Sequence, residues 1–269
     1  MNNILKLQYQ EFGRANDPVI VILHGFFASS RNWRAIAKKL AENYHVYVPD
    51  LRNHGQSPHA PEMDYPTMAA DVKAFLLEHK IEQACLLGHS MGGKVAMWAA
   101  LNYPDRIDNL VIVDIAPVSY QHSFENIIQA LQDLPLTQIK NRKQADELLS
   151  GSMPDTNFRQ FLLQNLILKD GVYVWRIDLD VFKKAAPAII SFPDTENVNP
   201  FLGKSLFVVG GKSQHVEKKY HQLIYKLFPN AIIEIINDAG HWLHVEQPEH
   251  FLAVLRKFLT DDGSEKSKK

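Results

Sequence analysis

One serine has the sequence neighbours that a catalytic nucleophile needs. In "ACLLGHSMGGKVAM", Gly88, Ser90 and Gly92 form a G-x-S-x-G motif that follows an apolar run and opens an amphipathic stretch. That context is typical of a nucleophile elbow, a sharp strand-to-helix turn that exposes the serine hydroxyl. Glycine fits two residues before and after the serine because the chain segments approach each other closely there. The alternative is a tight turn with an incidental serine. Cys85 is expected to be buried packing.

A serine nucleophile that attacks a carbonyl produces a tetrahedral oxyanion, which needs two preorganised N–H donors. The backbone N–H of Met91, directly after the serine, is one expected donor. The other is the N–H of Phe26 in "VILHGFFASS", where Gly25 lets the backbone turn towards the site. We expect His24 to order this turn rather than to act as a base, and we include His24 and Gly25 among the substrate-binding residues.

The general base should be a histidine on a loop near the C-terminus of the chain. His241 follows the last apolar run and a glycine in "AIIEIINDAGHWLHVEQPEHF", and His244 is the rival three residues on. We favour His241 because it comes first after the loop glycine. His89 lies within the elbow motif and is expected to line the site. The remaining histidines do not show metal-ligand spacing such as H-E-x-x-H, so we predict no metal site.

The elements that must position these residues alternate along the chain. Helical patterns separate six short runs that are too apolar to be half-exposed, which suits a parallel sheet covered on both faces. This order predicts an α/β fold with a mostly parallel sheet. "NILKLQYQEF" alternates and is expected to form an antiparallel edge strand. The six predicted core strands are 19–23, 44–49, 84–88, 109–114, 205–210 and 231–236.

The segment from 118 to 200 interrupts this alternation and contains no convincing core strand. Its apolar residues follow helix spacing, which predicts a helical cap inserted into a core formed by 1–117 and 201–260. We expect the cap to be a lid over the carboxyl edge of the sheet, and extra packing is the alternative. The tail 261–269 is expected to be disordered. Aromatic residues expected to line the substrate pocket, or else to form cap core, are Tyr120, Trp175, Phe182 and Phe192.

Composition restricts the class of partner. The 269 residues include 29 basic and 30 acidic side chains, so the net charge of −1 gives no electrostatic case for nucleic acid or a membrane surface. A single cysteine excludes an internal disulfide and gives no indication of secretion. The N-terminus has no charged leader before an apolar run, and no apolar stretch approaches 18 residues. We therefore expect a cytoplasmic protein, a monomer or weak homo-oligomer, with a small-molecule substrate.

Four motifs together give the chain a family resemblance. They are "DLRNHGQSPH" (50–59), "GHSMGGK" (88–94), "VDIAPVSY" (113–120) and "GGKS" (210–213). Over nearly all of residues 4–260 the sequence resembles the α/β-hydrolases, and more narrowly a family of small bacterial serine esterases. The resemblance implies an α/β-hydrolase fold, no cofactor, and hydrolysis of carboxylic esters, with acyl-CoA thioesters as a further substrate class. Ser90 would be the nucleophile and His241 the base.

The acid of the triad is missing from the turn where this fold usually carries it. That turn, in "LFVVGGKSQHV", ends at Ser213 and holds no acid. We assign the acid to Asp114, at the end of the strand after the elbow, because a triad is defined by geometry and role. A helix cap is the alternative for Asp114, and Asp238 is too close in sequence to His241 to orient its ring. Ser213 is expected to hydrogen-bond to His241 or Asp114 as an auxiliary member, or else to be a simple turn residue.

The predicted function is that of a serine hydrolase that forms an acyl-enzyme on Ser90. Serine rather than aspartate at this position excludes an epoxide hydrolase or a dehalogenase. A lyase or carbon–carbon bond hydrolase on the same triad is the alternative within enzymes, because one scaffold hosts several chemistries. A hydrolase-derived binding protein would have lost the serine, the histidine or the oxyanion loop, and the sequence keeps all three.

Overall fold

The structure is a computed structural model that describes residues 4–260. The six parallel strands of its main sheet lie at the predicted apolar runs. The predicted disordered tail at 261–269 lies outside the described residues. Within the described part of the chain the strands are β1 (Tyr9–Phe12), β2 (Val19–Leu23), β3 (His45–Pro49), β4 (Ala84–His89), β5 (Ile107–Val113), β6 (Leu166–Lys169), β7 (Val172–Trp175), β8 (Lys204–Gly210) and β9 (Ala231–Ile236).

The helices fill the connections between these strands. The α-helices of the described residues are α1 (Arg34–Leu40), α2 (Tyr65–Glu78), α3 (Met91–Asn102), α4 (Glu125–Gln132), α5 (Arg142–Leu149), α6 (Thr156–Leu162), α7 (Leu179–Ile190), α8 (His221–Leu227), α9 (Leu243–Glu246) and α10 (Pro248–Thr260).

Seven strands form one sheet in the order β1-β3-β2-β4-β5-β8-β9. Strand β1 pairs antiparallel with β3, as its alternating pattern predicted, and the other six strands run parallel. Because β4, β5 and β8 are consecutive neighbours, their carboxyl ends lie side by side. The nucleophile motif, Asp114 and the Gly-Gly turn follow these three ends, so the sheet order brings the predicted catalytic loops together.

The apolar runs are continuous because both faces of the sheet are buried. In β2, Val21 and Leu23 belong to one buried apolar cluster, and Ile20 and Ile22 belong to a second cluster. The first cluster includes residues of α2 and α3, and the second includes residues of α1 and α10. All four side chains are fully buried, so the sheet is sandwiched between two layers of helices.

The segment between β5 and β8, which we call the cap, holds α4 to α7 and also a hairpin of β6 and β7. The sequence analysis predicted helices here and missed the hairpin. Its turn residues, Asp170 and Gly171, both have positive φ, at 49° and 82°. An Asp-Gly pair adopts this conformation readily and favours a two-residue hairpin turn, so the signal was present in "LKDGVYVW".

Candidate active site

Ser90 lies in a strained turn between β4 and α3. Its φ is 52° and its ψ is −120°, a conformation that residues other than glycine rarely adopt. The surrounding glycines are required by contact. A Cβ on Gly88 would lie 2.2 Å from the carbonyl oxygen of Gly92, and one on Gly92 would lie 2.3 Å from the carbonyl oxygen of Leu23. The elbow therefore fits only with hydrogen at both positions.

Asp114 lies next to the imidazole of His241. Its Oδ2 is 2.7 Å from Nδ1 of His241, and the carboxylate is buried. The backbone N–H of Asp114 donates to the carbonyl of Val208, so the residue remains paired with β8 and its side chain reaches the turn after that strand. Asp114 is also in the left-handed region, with φ at 50°. The structure therefore brings together the acid and the base that the sequence analysis selected.

The acid-free turn after β8 supplies hydrogen bonds to this carboxylate. The Ser213 hydroxyl donates to Oδ2 of Asp114 at 2.5 Å, and the Gly210 N–H donates to Oδ1 at 2.9 Å. The serine therefore hydrogen-bonds to the acid rather than to His241. Asp238, the rival acid, is exposed, and its Oδ1 lies 3.8 Å from Nζ of Lys212.

The protonation states follow from burial and hydrogen bonding. Burial raises the pKa of Asp114 to about 6, although the hydrogen bonds from Ser213 and Gly210 act in the opposite direction. Burial lowers the pKa of His241 below its ordinary value. At pH 7 the pair is therefore a carboxylate and a neutral imidazole. Because Nδ1–H of His241 donates to Asp114, its Nε2 has a free lone pair and can accept a proton.

A second histidine lies beside this pair and was not foreseen. His215 stacks on the ring of His241 with centroids 4.0 Å apart, and its Nδ1 is 3.1 Å from Oγ of Ser213. The ligand atoms of Asp114, His215 and His241 lie within 4.8 Å of one another, close enough to suit a metal ion. The spacing of histidines along the sequence could not show this cluster because its members come from three separate loops. The hydrogen bonds that Asp114 accepts from Ser213 and His241 account for the position of its carboxylate.

Two other histidines are distinguished by their contacts. His89 lines the site, as expected, and its Nε2–H donates to the backbone carbonyl of His241 at 2.9 Å, which fixes the loop that carries the base. His244, the rival base, is buried and stacks on Trp33 with a centroid distance of 4.1 Å. Its Nδ1 has no hydrogen-bond partner among residues 4–260, and it makes no contact with Asp114. The contacts therefore favour His241.

The two expected oxyanion donors are buried and available. Neither the N–H of Phe26 nor that of Met91 donates a hydrogen bond within residues 4–260. The turn at Phe26 is held by its neighbour Phe27, which has φ at 62° and whose carbonyl accepts from Nδ2 of Asn165 at 2.8 Å. Because Asn165 belongs to the cap, the cap helps to fix the loop that carries one donor.

A cavity of about 1200 Å³, which we call the substrate cavity, opens in front of the serine between core and cap. Its lining includes the aromatic side chains of Phe124, Phe158, Phe161 and Trp242. The predicted site residues that line it are Gly25, Phe26, His89, Ser90, Met91, Tyr120 and His241.

Four residues predicted to bind substrate or to line the pocket do not line this cavity. Phe182 is fully buried and stacks on Phe26 with ring centroids 4.6 Å apart. His24 is fully buried, donates from Nδ1 to the carbonyl of Gly25 and accepts the N–H of Leu51 at Nε2, so it orders the loop. Trp175 donates from Nε1 to the carbonyl of Leu131 and belongs to the cap interior. Phe192 packs against the rings of Tyr65 and Trp98 of the core, with centroid distances of 6.1 and 6.0 Å.

Lys94, at the end of "GHSMGGK", is a structural residue that the sequence analysis missed. Its side chain is buried, and Nζ donates to the carbonyls of Val118, Ile190 and Ser191 at 2.6–2.9 Å. Burial lowers the pKa of Lys94, whereas three carbonyls match the three N–H donors of an ammonium group. Val118 begins the cap and Ser191 follows its last helix, so one lysine on the nucleophile helix joins both ends of the cap.

Comparison with known proteins places the chain in a family. A model of the α/β-hydrolase fold family matches residues 18–248. The chain is 38% identical over 257 residues to the sn-1-specific diacylglycerol lipase ABHD11 of Mus musculus, covering 92% of this chain and 82% of that protein. It is 35% identical over 247 residues to Esterase YbfF of Escherichia coli (strain K12), covering 91% and 94%. A solved structure, "Marine microorganism esterase", matches with a TM-score of 0.91 and 36% identity, covering 94% and 99%.

The chain therefore belongs to the α/β-hydrolase family, which confirms the predicted fold and the family resemblance. Its esterase and lipase relatives make it a serine hydrolase of the carboxylesterase type, with small-molecule esters as substrates. In the part of the chain that the structure describes, no helix is both long enough and apolar enough to span a membrane.

Proposed function

We propose that the chain hydrolyses carboxylic esters through an acyl-enzyme on Ser90, with His241 as the base and Asp114 as the acid. The observation that carries the proposal is the 2.7 Å contact between Asp114 Oδ2 and His241 Nδ1, beside a serine in an elbow. Asp114 holds the imidazole in the tautomer that leaves Nε2 as the acceptor and stabilises the imidazolium once it forms. Ser213 is an auxiliary member that acts through Asp114.

The reaction proceeds in two halves. Oγ of Ser90 attacks the carbonyl carbon while its proton moves to Nε2 of His241. The oxyanion that forms accepts hydrogen bonds from the backbone N–H groups of Phe26 and Met91. The tetrahedral intermediate then collapses, and the alcohol leaves with the proton from His241. A water molecule attacks the acyl-serine by the same route, which releases the carboxylic acid and restores the serine.

The cavity supports an acyl group as the recognised part of the substrate. Phenylalanine and tryptophan side chains favour burial of a hydrocarbon chain, and the cap supplies Phe124, Phe158 and Phe161. We therefore propose that residues 118–200 form a lid that selects the acyl chain, over a core of 1–117 and 201–260.

Thioesters such as acyl-CoA are a second substrate class, because the same acyl-enzyme can form with a thiol as the leaving group. Cytoplasmic location and a monomer or weak homo-oligomer remain predictions.

The test is a substrate panel with matched protein variants. p-Nitrophenyl esters and CoA thioesters of graded acyl length are compared for kcat/KM on the native chain, Ser90→Ala and Asp238→Asn. We expect ester hydrolysis by the native chain and Asp238→Asn, and none by Ser90→Ala. Retained activity in a correctly folded Ser90→Ala variant would rule out the proposed acyl-enzyme. Hydrolysis of esters without hydrolysis of thioesters would restrict the substrate class to oxygen esters.

A further inference from the structure

A second cavity, of about 200 Å³, lies beside the substrate cavity and is lined by three arginines. Phe27 and Gln164 line both cavities, so the two spaces are neighbours. Arg31 comes from the core, next to the oxyanion loop, whereas Arg142 and Arg176 come from the cap. The arginine pocket, as we call it, therefore lies at the seam between core and cap, next to the place where a substrate is bound.

None of the three arginines has a carboxylate within 4.0 Å among residues 4–260. The arginine ion pairs of that part of the chain involve other residues, Arg52 with Asp71, Arg159 with Asp146 and Arg256 with Glu42. The three pocket arginines therefore differ from these paired arginines. A cluster of like charges is unfavourable unless an anion or solvent compensates it.

The three arginines form a cluster of positive charge, and hydrogen bonds hold one of them in place. Both Nε and Nη2 of Arg142 donate to the carbonyl of Leu166, at 3.0 and 2.7 Å, so its guanidinium is held in place and Nη1 remains available. Burial lowers the pKa of Arg176, as do the nearby charges of Arg31 and Arg142, while Asp50 acts in the opposite direction. A bound anion would relieve this repulsion.

We propose that the arginine pocket binds a phosphate group. Guanidinium groups present paired N–H donors that match the oxygens of phosphate, and three of them can neutralise a dianion. The polar side chains of Ser29, Gln164 and Asn165 complete the lining and suit oxygen ligands rather than an acyl chain. The phosphate is either free inorganic phosphate or a phosphate on the alcohol portion of an ester whose acyl chain lies in the substrate cavity.

The binding test uses inorganic phosphate and isothermal calorimetry at pH 7 in a chloride buffer. The variants are Arg176→Gln and Arg31→Gln, and the control is Arg14→Gln, which removes the same charge from an exposed arginine outside the pocket. We expect the native chain and the control to bind phosphate, and each pocket variant to bind roughly tenfold more weakly or worse, as for lost charge-assisted hydrogen bonds. Because Arg31 is exposed, its variant should fold even if Arg176→Gln does not.

A kinetic test separates the two sources of phosphate. The substrates are 1-butyrylglycerol and 1-butyrylglycerol 3-phosphate, which differ only in the phosphate. A lower KM for the phosphorylated ester, with the advantage lost in Arg31→Gln, assigns the phosphate to the substrate. Equal KM values alongside calorimetric binding assign the site to free phosphate. Absence of phosphate binding by the native chain, or equal weakening in Arg14→Gln and the pocket variants, would overturn the proposal. The calorimetry needs no catalysis, so its outcome is independent of the proposed ester hydrolysis.

Discussion

The core and the cap hold their parts of the site by different means. In the core, backbone contacts fix the catalytic atoms, since Gly88 and Gly92 allow chain segments to approach at distances that no Cβ permits. The cap is attached through side chains that bond to backbone carbonyls: Lys94 of the core donates to carbonyls of the cap, and Asn165 of the cap donates to the carbonyl of Phe27 in the core. A glycine contact tolerates no change, whereas a side-chain bond can be replaced or lengthened. We therefore expect substitutions in the core to change the chemistry and substitutions in the cap to change the substrate preference.

The core and the cap meet at the loop that carries Phe26 and Phe27. The ring of Phe26 stacks on that of Phe182 in the cap, with centroids 4.6 Å apart. Phe124 of the cap also packs against the ring of Phe26, with a centroid distance of 4.9 Å. Because of these contacts and the bond from Asn165 to Phe27, we expect cap substitutions to alter the predicted oxyanion donor at Phe26 without touching the predicted triad.

The largest expected effect is that of Asp114→Asn in the core. The amide favours the wrong tautomer of His241 and cannot stabilise the imidazolium, and the equivalent change in a serine protease lowers turnover about 10⁴-fold. We expect a similar loss of kcat with p-nitrophenyl butyrate, measured on protein whose thermal melt shows that it is folded. Asp238→Asn is the control and should be as active as the native chain. A fully active Asp114→Asn variant would contradict the assignment.

Lys94→Met tests how the cap is attached. Methionine fills a similar volume but leaves the carbonyls of Val118, Ile190 and Ser191 without their donor. Each buried carbonyl left unsatisfied costs about 1–3 kcal/mol, so we expect the free energy of unfolding to fall by roughly 3 kcal/mol or more. Urea denaturation measures the change, and Lys73→Met on the neighbouring helix is the comparison. An unchanged unfolding midpoint for Lys94→Met would show that the three bonds do not hold the cap.

Ser213→Ala should have a smaller effect than Asp114→Asn. It removes one hydrogen bond to a buried carboxylate, which corresponds to about 1–3 kcal/mol or roughly 5- to 150-fold in kcat. The double variant should lose less activity than the product of the two single losses, because both changes act through the His241 ring. Steady-state kinetics on the three variants completes the cycle, and multiplicative losses would show that the serine acts independently of the acid.

The smallest effect on overall rate, and the most selective, is expected from the cap wall. Asn157→Trp adds bulk to a residue that lines the substrate cavity, and Leu148→Trp places the same tryptophan side chain at an exposed cap residue outside it. We expect Asn157→Trp to lower kcat/KM for long-chain p-nitrophenyl esters by about tenfold relative to short ones, within the range of pocket contacts. Identical chain-length profiles for both variants would indicate that the cap is packing and not a selector.

The sequence predicted the core better than the cap, for a physical reason. Buried parallel strands give uninterrupted apolar runs, and the elbow needs glycines at fixed positions, so both leave local signals. The predicted acid, Asp114, could be proposed from the sequence because it directly follows the next strand along the chain after the elbow. The Asp170-Gly171 hairpin also had a local signal, which the helical spacing around it obscured.

The remaining features depend on contacts between distant segments. His215 meets His241 only after two loops fold against each other, and the carbonyls that Lys94 binds carry no side-chain signature. Whether an aromatic residue lines the cavity or the cap interior is also decided by packing, which is why Tyr120 faces the substrate cavity while Trp175 and Phe192 do not.

The most direct test of the account is labelling with a fluorophosphonate, which reacts with a serine activated by a base and an oxyanion hole. Peptide mapping by mass spectrometry should find one adduct per chain, on Ser90, and Ser90→Ala should abolish it together with ester hydrolysis. Asp114→Asn should slow the labelling rate, whereas Asp238→Asn should not change it. An adduct on another serine, or undiminished labelling of Ser90→Ala, would contradict the central claim.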